Sequence, residues 1–366
     1  MTENLCDGPR GRRLVLELVR DALPDEVKRG LWELASQADV DAGASVTRLV
    51  FSGGDGPSEP TLAPVTTAAL AGAIRAVGAP TPIPAALDAA MLRAVDSARY
   101  WQAPEGDDIV AADPLVAAAL SAVAVALPAR ADTAWWRRDR TPQQWAIEFD
   151  PSGDGAPFDP APTAASRWSA ATADEEARAR VERPADATAM FSGSWWSHPW
   201  GAPHATGALP SGPPAGIPYV EDGFGWTHAV AVPVAGSGRT YEVHDAADWA
   251  HLCRAYPLEV TGSRRHDWYR VTGRDGRWVL PDWARVSEAW DAVHLSGWGY
   301  LTAATREIAV DAEYSSVIAG WGPDETYWLT GLVRETEGPR VHWRAERPEG
   351  PWRREDRTPA ALSPGR

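Results

Sequence analysis

Residues 227–257 read THAVAVPVAGSGRTYEVHDAADWAHLCRAYP, and the fold class follows from this stretch. From Thr227 to Val234 apolar side chains alternate, with Val230, Val232 and Val234 on one face, the period-two pattern of a half-buried strand. Gly236-Ser237-Gly238 is a turn signal and predicts a hairpin into a second strand, Thr240 to Val243. Asp245 has the chemistry of a helix N-cap, with Asp248 three residues on. Trp249, Leu252, Cys253 and Tyr256 then recur at i, i+3, i+4 and i+7, one apolar helical face, and Pro257 ends the helix. Strand, turn, strand and helix in one short run predict a mixed α+β domain.

Working outward, Trp268 to Val271 and Arg277 to Leu280 flank Gly273-Arg274-Asp275-Gly276 and predict a second hairpin. Asp282 is positioned to cap a short helix bearing Trp283, Val286 and Trp290. Val293 to Leu295, Ser316 to Ala319 and Thr326 to Leu329 are further predicted strands, so the α+β domain extends over residues 130–335. Within it, Trp135, Trp136 and Trp145 are assigned to a strand pair. Residues 150–163 (DPSGDGAPFDPAPT) read as a long loop, and Ala173 to Glu182 as a charged helix. Residues 1–128 predict an alanine-rich helical layer. Two helices over 11–38 are separated by Pro24, Phe51 to Pro60 is a loop, and helices from Leu62 to Leu127 break near Pro80, Pro82, Pro84, Pro104 and Pro114. Residues 336–366 turn to Glu, Arg and Pro and are expected to stay disordered, because they offer little apolar area to bury.

The formal net charge of the 366 residues is -15. Such an acidic balance disfavours nucleic acid and anionic lipid as partners, since both require a basic face. Lys28 is the only lysine, so the abundance of Arg reflects codon bias in a GC-rich bacterial genome rather than phosphate binding. Two cysteines, Cys6 and Cys253, are too few for a disulfide framework. Met1 to Arg13 lacks the apolar core of a leader, and the apolar run Pro114 to Pro128 is short for a bilayer span of roughly 17–25 residues. The expectation is a cytoplasmic protein without a membrane partner.

Several signatures of chemistry are missing from the sequence: the P-loop, the G-x-G-x-x-G turn, the G-x-S-x-G elbow, H-E-x-x-H and paired C-x-x-C. What is present is a concentration. Seven of eight histidines lie between His198 and His294, and twelve of twenty tryptophans between Trp195 and Trp328. Imidazole moves protons or ligates metals near neutral pH, and indole stacks on bases and sugars, although both also serve as core residues. Ser192 to Pro199 (SGSWWSHP) joins three hydroxyls, two indoles and an imidazole, a composition suited to a pocket wall. There Ser194 and Ser197 would bond a ribose or amide and Trp195 would stack on a ring. Glu221 and Asp222 on a turn are candidate general bases or ribose ligands, and Arg264 and Arg265 a candidate phosphate clamp.

The stretches FSGSWWSHP (191–199), HAVAVPV (228–234), RTYEVHDAADWAHL (239–252), AWDAVHL (289–295) and SVIAGWGPDETYWL (316–329) occur in an order that resembles ADP-ribosyltransferase domains of the bacterial toxin type. That resemblance covers about residues 190–330. It implies NAD as cofactor, Ser194 and Ser197 on a Ser-rich strand, and Glu325 as the late catalytic carboxylate. The chain departs from the family in lacking an E-x-E or Q-x-E pair before the final strand. The upstream arginine has two candidates, Arg138 and Arg183. A nucleotide or a protein is then the expected substrate.

Two other readings compete. A non-catalytic protein-binding module, of interaction or immunity type, would expose a Trp-bearing patch and scatter the polar candidates. A metal-dependent hydrolase would need three of His198, His204, His228, His244, His251 and Asp248 to converge. The spacing of these residues matches no metal family, so a metal is not the expectation.

Overall fold

The computed structural model of the chain describes residues 4–43, 65–348 and 350–355, and the loop expected at 51–60 lies outside them. The helical layer comprises α1 (Pro9–Arg20), α2 (Asp25–Asp41), α3 (Thr67–Val77), α4 (Pro84–Asp96), α5 (Gly106–Ala112) and α6 (Pro114–Ala124). Proline opens α1, α4 and α6, where its missing N–H has no intrahelical partner to lose. Thr66 and Asp113 cap α3 and α6 through side-chain oxygens.

Two arginines on α1 are buried because α5 supplies their counterions. Arg10 meets Asp108 at 2.9 Å and donates to the Ala94 carbonyl (2.7 Å) and Ser97 Oγ (2.6 Å) at the end of α4. Arg13 pairs with Asp107 (3.5 Å) and Asp108 (3.6 Å) of α5, with Glu105 (3.1 Å) just before it, and with Glu17 (2.8 Å) on its own helix. A buried charge left without such partners costs several kcal/mol, roughly 3–5, so these bonds fix how α1, α4 and α5 dock. They also hold the segment between α4 and α5 that carries Tyr100.

The α+β half follows with β1 (Gln143–Phe149), α7 (Ala164–Glu182), β2 (His204–Thr206), β3 (His228–Gly236), β4 (Thr240–Val243), α8 (Ala246–Ala255) and β5 (Pro257–Glu259). Next come α9 (Thr261–Thr272), β6 (Arg277–Pro281), α10 (Trp283–Ala289), β7 (Ala292–Leu295), α11 (Gly297–Ala303), β8 (Ile308–Ala309) and β9 (Tyr314–Ser316). The last strands are β10 (Glu325–Trp328), β11 (Val333–Glu335), β12 (Val341–Arg344) and β13 (Arg353–Arg354). The main sheet runs β13-β12-β3-β1-β2-β10-β7-β4, with β11 also on β3, and a smaller sheet runs β5-β6-β9-β8. The α+β class expected from residues 227–257 is therefore the class observed.

β3 is covered on both faces. Val230, Val232 and Val234 pack with Trp328 and Val333, while Ala229 and Ala231 pack with Ile217 and against Trp145, Ile147 and Trp343. A third, larger core runs without interruption from Leu14, Val15 and Leu120 in the helical layer to Trp249, Trp283 and Trp321. The described part of residues 1–128 thus shares one apolar interior with the rest of the described chain. Trp136, Trp249, Trp268, Trp278, Trp283, Trp321 and Trp328 are almost fully buried, so much of the tryptophan concentration serves packing. Cys6 and Cys253 are buried free thiols. Among the described residues no single helix is long and apolar enough to cross a membrane.

Four local expectations are corrected. Gly236-Ser237-Gly238 does not close a hairpin: β4 leaves β3 and pairs in parallel with β7, Tyr241 opposite Val293. Trp268 to Val271 is the end of α9, not a strand. The predicted turn glycine, Gly273, is instead the left-handed C-cap of that helix (φ 71°). Trp135 and Trp136 lie in a 3₁₀ turn, and only Trp145 is on a strand. Finally, the tail expected to be disordered from residue 336 supplies β12, which pairs along β3 (Val341 opposite Ala231), and β13; residues 356–366 lie outside the described residues. Trp343 and Trp352 supply the apolar area that the charge-rich composition of this segment conceals.

Candidate functional site

Strand register assembles the site. Trp145 of β1 lies opposite Thr206 of β2, Thr206 lies opposite Glu325 of β10, and His204 lies opposite Tyr327. Because side chains alternate along a strand, Trp145, Ile147, Phe149, Thr206, His204, Glu325 and Tyr327 all leave the same face of the sheet. They form the floor of a cleft of about 590 Å³. The opposite face takes Gln144, which donates to Thr326 Oγ1 at 2.8 Å.

Glu325 is held at both oxygens. Oε1 lies 2.6 Å from His204 Nδ1, and Oε2 accepts the Gly322 N–H at 2.6 Å. The turn before it is fixed by Asp324, which adopts φ 63°, a conformation aspartate tolerates better than most residues. Asp324 accepts the Gly207 N–H at 2.8 Å and pairs with Arg138 at 3.3 Å. Burial pulls the His204 imidazole toward neutrality, but the Glu325 hydrogen bond and charge outweigh it, and its pKa is raised. The His204 side chain is 48% exposed toward the cleft, so the carboxylate is the dominant influence.

The wall comes from residues 195–200. Its backbone is anchored from behind: Trp268 Nε1 donates to the Trp195 carbonyl (3.0 Å) and Trp283 Nε1 to the Ser197 carbonyl (3.1 Å). Trp195 stacks between Tyr100 (4.9 Å) and Trp196 (4.7 Å), and Trp196 meets Trp200 at 5.1 Å. An aromatic ladder therefore climbs from the core to Trp200, which is 64% exposed. His198 stacks on Tyr327 at 4.7 Å, and His204 stacks on the same ring at 5.3 Å. Burial, with the neighbouring His204, pushes the His198 pKa down to about 3, so the ring is neutral. Its buried Nδ1 has no hydrogen-bond partner among the described residues.

Glu221 sits deeper. Oε1 accepts from Tyr300 (2.9 Å, on α11) and Tyr100 (3.1 Å, from the helical layer), and Oε2 accepts the Gly320 N–H (2.7 Å). Desolvation exceeds the pull of these donors and of Arg10, and the carboxyl is pushed up to about 8. Gly320 is required at this point. It has φ 78°, and a Cβ there would lie 2.6 Å from Trp196 Cδ1.

Of the residues singled out from sequence, Glu325, Glu221, Asp222, Trp195 and His198 line this one cleft. Ser194 is outside the lining, beside Glu175, whose pKa it helps to lower. Ser197 is fully buried and ties its segment to Ala319, accepting that N–H at 2.9 Å. The phosphate clamp is not formed: Arg264 is buried against Glu175 (3.1 Å), and Arg265 donates to the Ala185 carbonyl (2.7 Å). Among the described residues no three of His198, His204, His228, His244, His251 and Asp248 gather at coordination distance, so that metal set is also corrected. Tyr327 and Trp145 join the site without having been singled out from sequence, and His204, expected only as a metal ligand, joins it as the partner of Glu325. The alternation in Glu325-Thr326-Tyr327 was the one available signal, since His204 lies on a strand of three residues. No protein-family model, curated protein or solved structure matches the chain.

Proposed function

We propose that the chain is an enzyme that cleaves an N-glycosidic bond, with NAD as its substrate and ADP-ribosyl transfer as its reaction. The observation that carries this reading is Glu325, held by His204 and the Gly322 N–H on the floor of an aromatic cleft. The nicotinamide ring of NAD is flat and cationic. Trp145, Trp200 and Trp226 offer aromatic surface to the cleft, and the lining carries the carboxylates of Asp159, Asp222 and Glu325, with Glu221 kept neutral by burial, but, among the described residues, no Arg or Lys. Such a cleft suits the nicotinamide riboside end rather than the phosphates. An adjoining recess of about 330 Å³ shares Phe149, Val220 and Trp226 with it and carries Arg93, with Arg99 beside it paired to Glu105 (3.2 Å) and Asp96 also on its wall, so Arg93 is the residue there that would meet a phosphate.

In this mechanism the bond between C1′ and the ring nitrogen breaks, and its electron pair neutralises the departing nicotinamide. The Glu325 carboxylate stabilises the positive charge left on the ribose, and His204 holds that carboxylate in position. A nucleophile, either water or a side chain of a protein substrate, then bonds to C1′ and loses its proton. The test is nicotinamide release from NAD by the wild type and by Glu325→Gln. The expected loss in the variant is at least about 100-fold with NAD binding retained. Equal rates would remove Glu325 from the mechanism, and absence of both NAD binding and nicotinamide release would end the reading.

A second reading, a non-catalytic protein-binding module, is favoured by one feature. Trp200 and Phe224, 64% and 81% exposed, both line the cleft and present apolar surface to solvent. It gains if NAD fails to bind while Trp200→Ala abolishes capture of a defined protein partner.

A further inference from the structure

We propose a transition-metal site, of the kind that takes zinc, formed by His228, His342 and Glu355, away from the Glu325–His204 pair and independent of the glycosidic reading. One ligating atom from each of the three lies within 4.8 Å of the others. His228 opens β3, His342 lies on the neighbouring β12, and Glu355 follows β13. The β3–β12 register puts Arg344 opposite His228 and His342 opposite Val230, so the two histidines are diagonal neighbours on one sheet face.

Three details of geometry fit a shared metal. His228 Nε2 and His342 Nδ1 are 3.3 Å apart. Two nitrogens bound to tetrahedral zinc at about 2.0–2.1 Å are separated by about 3.3 Å as well. The rings are 13° from parallel with centroids 5.5 Å apart, an arrangement that an N–H···N hydrogen bond holds in the absence of metal and that a metal ion would replace. The outer nitrogen of His342, Nε2, lies 3.1 Å from Asp154 Oδ1. A carboxylate on the far nitrogen keeps the proton there and leaves Nδ1 as the electron-pair donor, the arrangement that accompanies metal-bound histidines.

The surrounding chain holds this arrangement. The Glu355 N–H donates to the His342 carbonyl at 2.8 Å, which seats the carboxylate beside the rings. Arg340 donates to the Asp154 carbonyl at 2.7 Å, and the Asp150 N–H to the His228 carbonyl at 3.0 Å, which fixes the loop carrying Asp154. Arg344 Nε holds Glu355 Oε1 at 3.0 Å, so the metal must share that carboxylate with a guanidinium. The three protein ligands leave a fourth position for water, and together with Asp154 they would staple the C-terminal strands to β3.

The test uses the full chain after chelator treatment, titrated with cobalt(II) and followed by its visible d–d absorption, with zinc(II) binding followed by calorimetry and thermal unfolding. One equivalent should bind and raise the melting temperature. His342→Gln and His228→Gln should each abolish the cobalt band. Asp154→Asn should weaken binding by about 10–100-fold. His244→Gln, at the separate Asp139–Glu242–His244 group, should leave binding unchanged. The proposal is overturned if the wild type shows no stoichiometric cobalt or zinc binding. It is equally overturned if the two histidine variants, native by circular dichroism, bind as the wild type does.

Discussion

Glu221→Gln isolates the energetic consequence of burying a carboxyl under two tyrosines. Burial raises Glu221 from the ordinary 4.5 to about 8, so near neutral pH the native state keeps a proton that the unfolded chain has released. Stability must therefore fall as pH rises between those two values and level off above the higher one. Each pH unit in that window is worth about 1.4 kcal/mol, so at pH 7 this one group costs about 3 kcal/mol relative to pH 4.5. Glutamine reproduces the shape of the neutral acid without its titration. Urea unfolding of both proteins, followed by tryptophan fluorescence from about pH 5 to pH 8, should show near-equal stabilities at the acid end. The variant should then gain on the wild type by about 1.4 kcal/mol per unit. Taking the difference cancels every other titrating group. A difference that does not change with pH, or a wild type that gains on the variant as pH rises, would refute the argument that desolvation outweighs the Tyr100, Tyr300 and Gly320 donors.

His294 gives a dependence of the same sign from the opposite kind of group. It is fully buried, and although burial alone would lower its pKa, Asp324 and Glu242 (2.5 Å) raise it to about 9. Its contribution is complete below the ordinary histidine pKa of 6.5 and is lost as pH rises through 9. His294→Gln should therefore cost about 3 kcal/mol at pH 6 and progressively less in alkaline buffer, read by thermal unfolding across pH. Ending the chain after Thr336 removes Val341, Trp343 and Trp352 from the cluster around Ile217, Ala229 and Ala231. A loss of at least about 3 kcal/mol in urea unfolding is expected, and unchanged stability would contradict a packing role for the C-terminal strands.

Some of this was legible in the residues alone, because it depends on neighbours in the chain. The alternation through Val234 marks β3, Asp245 and Asp282 cap their helices through their own side chains, and prolines punctuate the helical layer where the sequence places them. Periodicity, however, does not say which strand a strand will meet. The Gly236-Ser237-Gly238 turn looks the same whether β4 folds back or crosses to β7, and only the packing of the sheet decides. Glu221, Arg264 and Ser197 are equally polar in the sequence, and what separates them is distant in the chain. Glu221 meets Tyr100 across 121 positions, Arg264 meets Glu175 across 89, and Ser197 meets Ala319 across 122. The same holds for His342, which sits in a stretch rich in charge and acquires His228 as a neighbour only when β12 joins β3. Local pattern and capping set the elements. Hydrogen-bond partners and desolvation, which exist only after the chain has closed on itself, set which side chains are left facing the cleft.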